Sequence, residues 1–120
     1  MSDQTRDELV AKLEATESEI RQDGRDPAAD ASTVRSLSII AREIAEHLNI
    51  PAQDANQSPS LVPDGPPSPT FFLRHANAHI RQGIPAAANY PYHEEFNRKW
   101  RRNILLGLCG ALRLALVFGR

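Results

Sequence analysis

The hydrophobic pattern along the first 50 residues predicts two amphipathic helices. In the first, Leu9, Leu13 and Ile20 recur at helical spacing, and Thr16 fills the remaining position of the same stripe. The stripe of the second helix alternates steps of three and four residues: Val34, Leu37, Ala41, Ile44 and Leu48. Because only a short segment rich in Gly and Asp separates the two patterns, we expect an αα-hairpin over residues 1–50.

Local signals predict where these two helices begin and end. The sequence TRDE at residues 5–8 has the spacing of a capping box, so we expect the first helix to begin at Thr5. Ser32 or Thr33 can cap the second helix. We expect that helix to end at Asn49, just before Pro51.

Residues 51–69 break the helical pattern. This stretch holds six prolines, and proline both lacks a backbone donor and disrupts the interior of a helix. We therefore expect a semi-extended, proline-rich linker between the hairpin and a C-terminal helical segment over residues 70–120. The two helical parts could still belong to one domain.

A helical pair is predicted after the linker. The first helix runs from a Thr70 cap to Gln82, and Gly83 follows it as a stop signal. The second begins near Pro91 and ends at Phe118. The predicted fold class is all-α, with a long apolar last helix.

A helical projection of the last helix separates a narrow polar stripe from a broad apolar side. The polar stripe contains Arg98, Arg102, Cys109 and Arg113, and we expect it to reach water. The apolar side is predicted to be an interface, formed by Trp100, Ile104, Leu108, Leu112 and Phe118. Small residues at positions 107, 110 and 111 would allow another helix to approach closely.

The apolar end of the chain is too short to cross a bilayer comfortably. Residues 104–118 form about 22 Å of helix, whereas the hydrocarbon core of a bilayer is about 30 Å thick. We expect this helix to be buried centrally among the other helices. The alternative is a helix that lies in the membrane surface, which would make the chain a peripheral membrane protein.

The net charge of −1 conceals a strong asymmetry between the two halves of the chain. Residues 1–62 carry twelve acids and six bases, whereas residues 63–120 carry three acids and eight bases, which gives −6 and +5. The acidic half could dock on the basic half of the same or a neighbouring chain, or the basic half could meet an external anion. The predicted contacts for a partner or an anion are five cations of the last helix: Arg98, Lys99, Arg101, Arg102 and Arg113.

Four of these cations surround Trp100, which leaves a nucleic-acid-binding protein as a further alternative. Cations could neutralise phosphates while the indole ring stacks on a base. No helix-turn-helix, zinc-finger or ribbon motif supports that alternative.

Few residues have the spacing of a metal or catalytic site. His75 and His79 are one helical turn apart, and His93 could add a ligand, but Ala76 stands where a metalloprotease helix has glutamate. We expect no cofactor and no metal site. These three histidines would be the candidate ligands if a metal were bound. The sequence has no glycine-rich phosphate loop, nucleophile elbow or Cys-x-x-Cys motif, so we expect no enzymatic activity.

The remaining signals concern compartment and role. Cys109 is the only cysteine, and no charged segment followed by an apolar stretch resembles a signal peptide at the N-terminus. We therefore expect a cytoplasmic protein, associated with membranes only under the alternative above. The sequence as a whole predicts a small helical interaction, adaptor or regulatory subunit that assembles, through its last helix, with a protein partner or a second copy of itself.

Overall fold

A computed structural model describes residues 2–22, 27–59, 68–82 and 94–119 of the chain. All regular secondary structure in these ranges is helical, which confirms the predicted all-α fold. The helices are α1 (Ser2–Ile20), α2 (Pro27–His47), α3 (Ala52–Ala55), α4 (Pro69–Gln82) and α5 (Glu94–Phe118).

The apolar stripes of α1 and α2 pack into one core. All four residues of the stripe predicted for α1 are buried, and so are Leu37, Ala41 and Ile44 of the α2 stripe. Near the surface, Lys12 Nζ lies 2.7 Å from Glu43 Oε2 and links the two helices. Tertiary packing of amphipathic faces stabilises helices of this length more than intrinsic propensity does.

The first two helices begin earlier than predicted. α1 begins at Ser2 rather than Thr5, and α2 begins at Pro27 rather than near Thr33. Thr33 lies inside α2, where its hydroxyl donates to the carbonyl oxygen four residues earlier at 3.0 Å. The predicted end of α2 is confirmed, because Asn49 has a φ of 58°, in the left-handed region that commonly follows a helix.

The first part of the predicted linker is a packed helical turn rather than an extended spacer. Ala55 of α3 is 2% exposed, and α4 holds the turn in place. Asn77 Nδ2 donates to the carbonyl oxygen of Ala55 at 3.0 Å, and Arg74 Nε donates to that of Asp54 at 2.7 Å. The expectation of an extended segment is therefore wrong here, and residues 60–67 lie outside the described part of the chain.

α4 begins where the linker was predicted to end. The Ser68 hydroxyl accepts a hydrogen bond from the backbone N–H of Phe71 at 3.2 Å, which makes Ser68 the cap in place of Thr70. Phe72 then stacks on Phe118, with the ring centroids 5.5 Å apart. Because Phe72 is near the start of α4 and Phe118 ends α5, the two helices are antiparallel.

α5 is the central helix of the fold. It contacts α1, α2 and α4, whereas α1 and α4 do not touch each other in the described residues. α2 runs parallel to it, because Asp30 near the start of α2 pairs with Arg101 and Leu48 at the other end lies against Gly119. The N-terminal hairpin and the C-terminal pair therefore share one core.

Candidate functional site

The two sides of α5 are in different environments. The inner side faces α1, α2 and α4, and its residues are buried: Arg101, Leu105, Leu108, Cys109, Leu112, Ala115 and Leu116. Successive members of this set are one, three or four residues apart, as expected for a helix that packs along one side. The residues on the opposite side of α5 face away from the core.

We call the exposed side of α5 the outer face, which consists of Leu106, Gly107, Gly110, Leu114, Val117 and Phe118. Three of its side chains are large, apolar and about half exposed: Leu114 at 42%, Val117 at 50% and Phe118 at 47%. Trp100, two turns before Gly107 on the same side of the helix, is 43% exposed. In the described residues Ile39 of α2 is the one other exposed large hydrophobic residue, so four of five lie on one side of one helix.

The middle of the outer face is flat because two of its residues are glycines. A Cβ atom built on Gly107 or Gly110 would meet nothing within 4 Å, so packing inside the chain does not require glycine at either position. Glycine inside a helix costs about 0.5–1 kcal/mol relative to alanine. A surface of this shape allows a second helix to approach closely.

Glutamates of α1 lie along one edge of the outer face. Arg113 Nε donates to Glu17 Oε1 at 2.7 Å, and Arg113 Nη2 lies 3.7 Å from Glu14 Oε1. The Glu14 side chain is 62% exposed, whereas that of Glu17 is 15% exposed. Arg113, predicted to contact a partner or an anion, is thus held by α1 within the chain.

A cavity of about 240 Å³ lies along the other edge, between α4 and α5. His75 and His79 line it from α4, and Ile104, Gly107 and Ala111 are among its lining residues on α5. The Nε2 atom of His75 is buried without a hydrogen-bond partner among the described residues.

Among the described residues, the histidine pair of α4 does not belong to a larger group of possible metal ligands. No group of three or more His, Cys, Asp or Glu side chains that could bind a metal occurs in the described ranges. The ring of His75 instead packs against the ring of Phe71, with the centroids 4.5 Å apart. His93, the third predicted candidate, lies outside the described residues.

Comparisons with protein-family models, with curated proteins and with solved structures give no match for this chain. The functional argument therefore depends on the chemistry of the outer face and its two edges. The residues predicted from sequence occupy three different environments around this surface.

Arg101 is buried rather than available to a partner. Its Nε atom donates to Asp30 Oδ2 at 2.7 Å, and the two side chains are 7% and 5% exposed. Opposite charges are retained in a protein interior only when they are paired. The prediction of Arg101 as a surface contact is therefore wrong, whereas Lys99 is exposed and Arg98 and Arg102 are partly buried.

Two of the five residues in the predicted apolar interface belong to the core instead. Leu108 is 4% exposed and Leu112 is fully buried. Trp100 and Phe118 lie on the exposed side, and Ile104 is partly buried at the edge toward α4.

The exposed apolar side of α5 differs from the side that the sequence pattern predicted. The stripe expected to reach water faces α1, because Glu17 pairs with Arg113. The exposed apolar surface is therefore rotated toward Leu114 and Val117, which the sequence pattern did not single out. The sequence did contain a signal for this orientation. Glu14 and Glu17 lie one turn apart in the acidic first helix and could be matched with Arg113 of the last helix.

Cys109 lies on the inner side of α5 and is fully buried. Burial raises the pKa of its thiol to about 12, and the nearby Glu17 carboxylate acts in the same direction. The thiol is therefore protonated at neutral pH. A protonated, inaccessible thiol is a poor nucleophile and a poor metal ligand.

Proposed function

We propose that this chain is a non-enzymatic helical interaction subunit that assembles with a protein partner through the outer face of α5. The observation that carries the proposal is that, of the five large hydrophobic residues exposed in the described part of the chain, four lie on the exposed side of α5. Contiguous apolar surfaces of this kind mark binding sites, because covering them removes apolar area from water at about 25 cal/mol per Å².

The arrangement of side chains fits a protein interface. Trp100 and Phe118 supply aromatic rings at the two ends, and Leu114 supplies an aliphatic side chain between them. Charged groups stay at the border, with Glu14 and Arg113 along one edge. Protein interfaces have this organisation, in which an apolar centre rich in aromatic residues is enclosed by a polar rim.

Two polar groups next to the outer face, Cys109 and Arg113, support a role in binding rather than in catalysis. Cys109 is protonated and buried, and Arg113 is held in ion pairs with Glu17 and Glu14. Neither group is placed to act on a substrate at the surface. Arg101 is also buried in its ion pair with Asp30, so one of the four cations behind the nucleic-acid alternative is engaged inside the chain.

The proposal is tested by capture of partners from the native host with tagged forms of the chain. Leu114→Arg places an uncompensated charge in the centre of the outer face, and Ile39→Arg makes the same change at an exposed site on α2. We expect the original chain and Ile39→Arg to capture the same stoichiometric partner, identified by mass spectrometry, and Leu114→Arg to lose it. Capture of the same proteins by all three forms, each with an unchanged melting temperature, would contradict the proposal.

Trp100 favours a second candidate, contact of the outer face with a membrane surface. The half-exposed indole lies next to Lys99, and such pairs suit the boundary between acyl chains and anionic headgroups. None of the helices in the described part of the chain is long and apolar enough to span a bilayer. Flotation with phosphatidylserine-rich vesicles that depends on Leu114 would favour this candidate, and its absence would exclude it.

A further inference from the structure

We propose that the partner of the outer face is a second copy of this chain, packed as an antiparallel pair of α5 helices about a two-fold axis. This inference rests on the proposed function and specifies its partner. Its grounds are two matched pairs of positions along α5 and the distribution of charge around the outer face.

Two pairs of positions along the exposed side of α5 and its edge toward α4 are matched about the level of Cys109. In an antiparallel pair related by a two-fold axis, consider a residue that lies a given number of positions before the crossing point. It faces the residue of the other copy that lies the same number of positions after the crossing point. Gly107 and Ala111 lie at equal distances from Cys109, and so do Trp100 and Phe118. A crossing at this level therefore places small residues where the helices meet and each Trp100 beside the Phe118 of the second copy.

Trp100 and Phe118 also project in the same direction. They are separated by about five turns of a helix with 3.6 residues per turn, so they lie on one line along α5. Their side chains are similarly exposed, at 43% and 47%. In an antiparallel pair related by a two-fold axis, residues at the same angle on the two helices lie on the same side of the interface. The two contacts between Trp100 of one copy and Phe118 of the other therefore form together.

Each end of the pair would contain three aromatic rings. Phe118 already stacks on Phe72 at 5.5 Å with an angle of 21° between the ring planes. A Trp100 from the second copy extends this stack, and aromatic pairs contribute stabilisation beyond their buried area.

The charges favour the antiparallel over the parallel orientation. The first half of α5 keeps a small positive excess, because Arg98, Lys99 and Arg102 outnumber Glu94 and Glu95 there, whereas the C-terminal end of α5 carries the negative end of the helix dipole. A parallel pair would bring the two basic segments together, which is repulsive. An antiparallel pair sets each basic segment beside the C-terminal half of the other α5, where Glu14 is exposed along the same edge.

The oligomeric state of the purified chain is the first test. Sedimentation velocity and light scattering over a concentration series should give the mass of a dimer for the original chain. Leu114→Arg should raise the dimer dissociation constant by at least about tenfold. Ile39→Arg, the matched control, should leave this constant unchanged.

Disulfide trapping tests the orientation. In a Cys109→Ala background, Asn103→Cys and Leu114→Cys chains are oxidised separately and as a mixture. Asn103 precedes the crossing level by six residues and Leu114 follows it by five, so the antiparallel pair predicts a disulfide between unlike chains in the mixture. Cross-linking of Asn103→Cys chains to one another would indicate a parallel pair and overturn the inference, as would a dimer that forms no mixed disulfide.

The outcomes separate this inference from the proposed function. A chain that remains monomeric at the highest concentration it tolerates overturns the second copy as the partner. If that monomer still captures another protein in a Leu114-dependent manner, the proposed function stands with a different partner. If Leu114→Arg changes neither self-association nor capture, both proposals are contradicted.

Discussion

Arg101 and Asp30 join α5 to α2 through a buried ion pair, although they lie 71 residues apart in the chain. Moving both charges out of water is costly, and their attraction offsets this cost only while they stay together. The pair also fixes the rotation of α5, because Arg101 must point inward to reach Asp30. Its loss should therefore weaken the fold as well as the contact.

We predict that Arg101→Met lowers the free energy of unfolding by about 3–5 kcal/mol, because the buried Asp30 carboxylate loses the cation that pairs with it at 2.7 Å. Urea denaturation measures this change. Arg35→Met, at an exposed arginine of α2, makes the same substitution and should stay within about 0.5 kcal/mol of the original chain. Adding Asp30→Leu to Arg101→Met should recover part of the loss, and equal effects of the two arginine substitutions would contradict the buried pair.

The buried thiol gives a prediction about pH. Burial raises the pKa of Cys109 from 9.0 to about 12, so above pH 9 the unfolded chain loses a proton that the folded chain keeps. The contribution of the neutral thiol to stability is complete below about pH 9 and is lost as the pH rises toward about 12. Between these values the free energy of unfolding should fall more steeply in the original chain than in Cys109→Ala.

This difference is measured by urea denaturation of both forms from about pH 8 to about pH 11. Other groups that titrate in this range are present in both chains, so the comparison isolates the thiol. Parallel pH profiles would show that Cys109 ionises as freely in the folded chain as in the unfolded chain.

At the scale of elements, α3 illustrates how a helix of one turn is held by its neighbour. Pro51 precedes the turn, and the backbone amides of Asp54 and Ala55 both donate to its carbonyl oxygen at 3.0 Å. A single turn is unstable by itself, because helix nucleation fixes several dihedral angles for each hydrogen bond. The side chains of Arg74 and Asn77 supply the missing stabilisation from α4.

We predict that Asn77→Ala loosens α3, because the carbonyl of Ala55 loses the donor that anchors it. Hydrogen exchange of the amides at residues 54–56 should accelerate about fivefold, which corresponds to about 1 kcal/mol for one hydrogen bond. Asn103→Ala, at an exposed asparagine of α5, serves as the control and should leave these amides unchanged. Unaltered exchange in both variants would mean that α3 does not depend on this contact.

At the scale of the whole molecule, the elements with regular apolar spacing were predictable from sequence. The α1 stripe and the centre of the α2 stripe are buried as expected, since local periodicity determines which side of a helix is apolar. α3 was not predictable in the same way. Its single turn depends on Asn77, more than 20 residues later in the chain.

The candidate surface was predictable only in part. The sequence pattern singled out the last helix and its two end aromatics, which are about half exposed, and their role in an interface stays a prediction. The rotation of that helix depends on partners in distant helices, because Asp30 and Glu17 hold Arg101 and Arg113. A helical projection of one segment cannot contain that information, so Leu112 was expected at the interface and Leu114 was not.

The division of α5 into an inner side and an outer face is the central claim, and Leu112 and Leu114 test it directly. They are the same residue type two positions apart, yet Leu112 is fully buried and Leu114 is 42% exposed. The measurement is the free energy of unfolding of Leu112→Ala and Leu114→Ala at a protein concentration where the chain is monomeric. We predict a loss of about 2–5 kcal/mol for Leu112→Ala and less than about 0.5 kcal/mol for Leu114→Ala. Equal losses, or a larger loss for Leu114→Ala, would contradict the division.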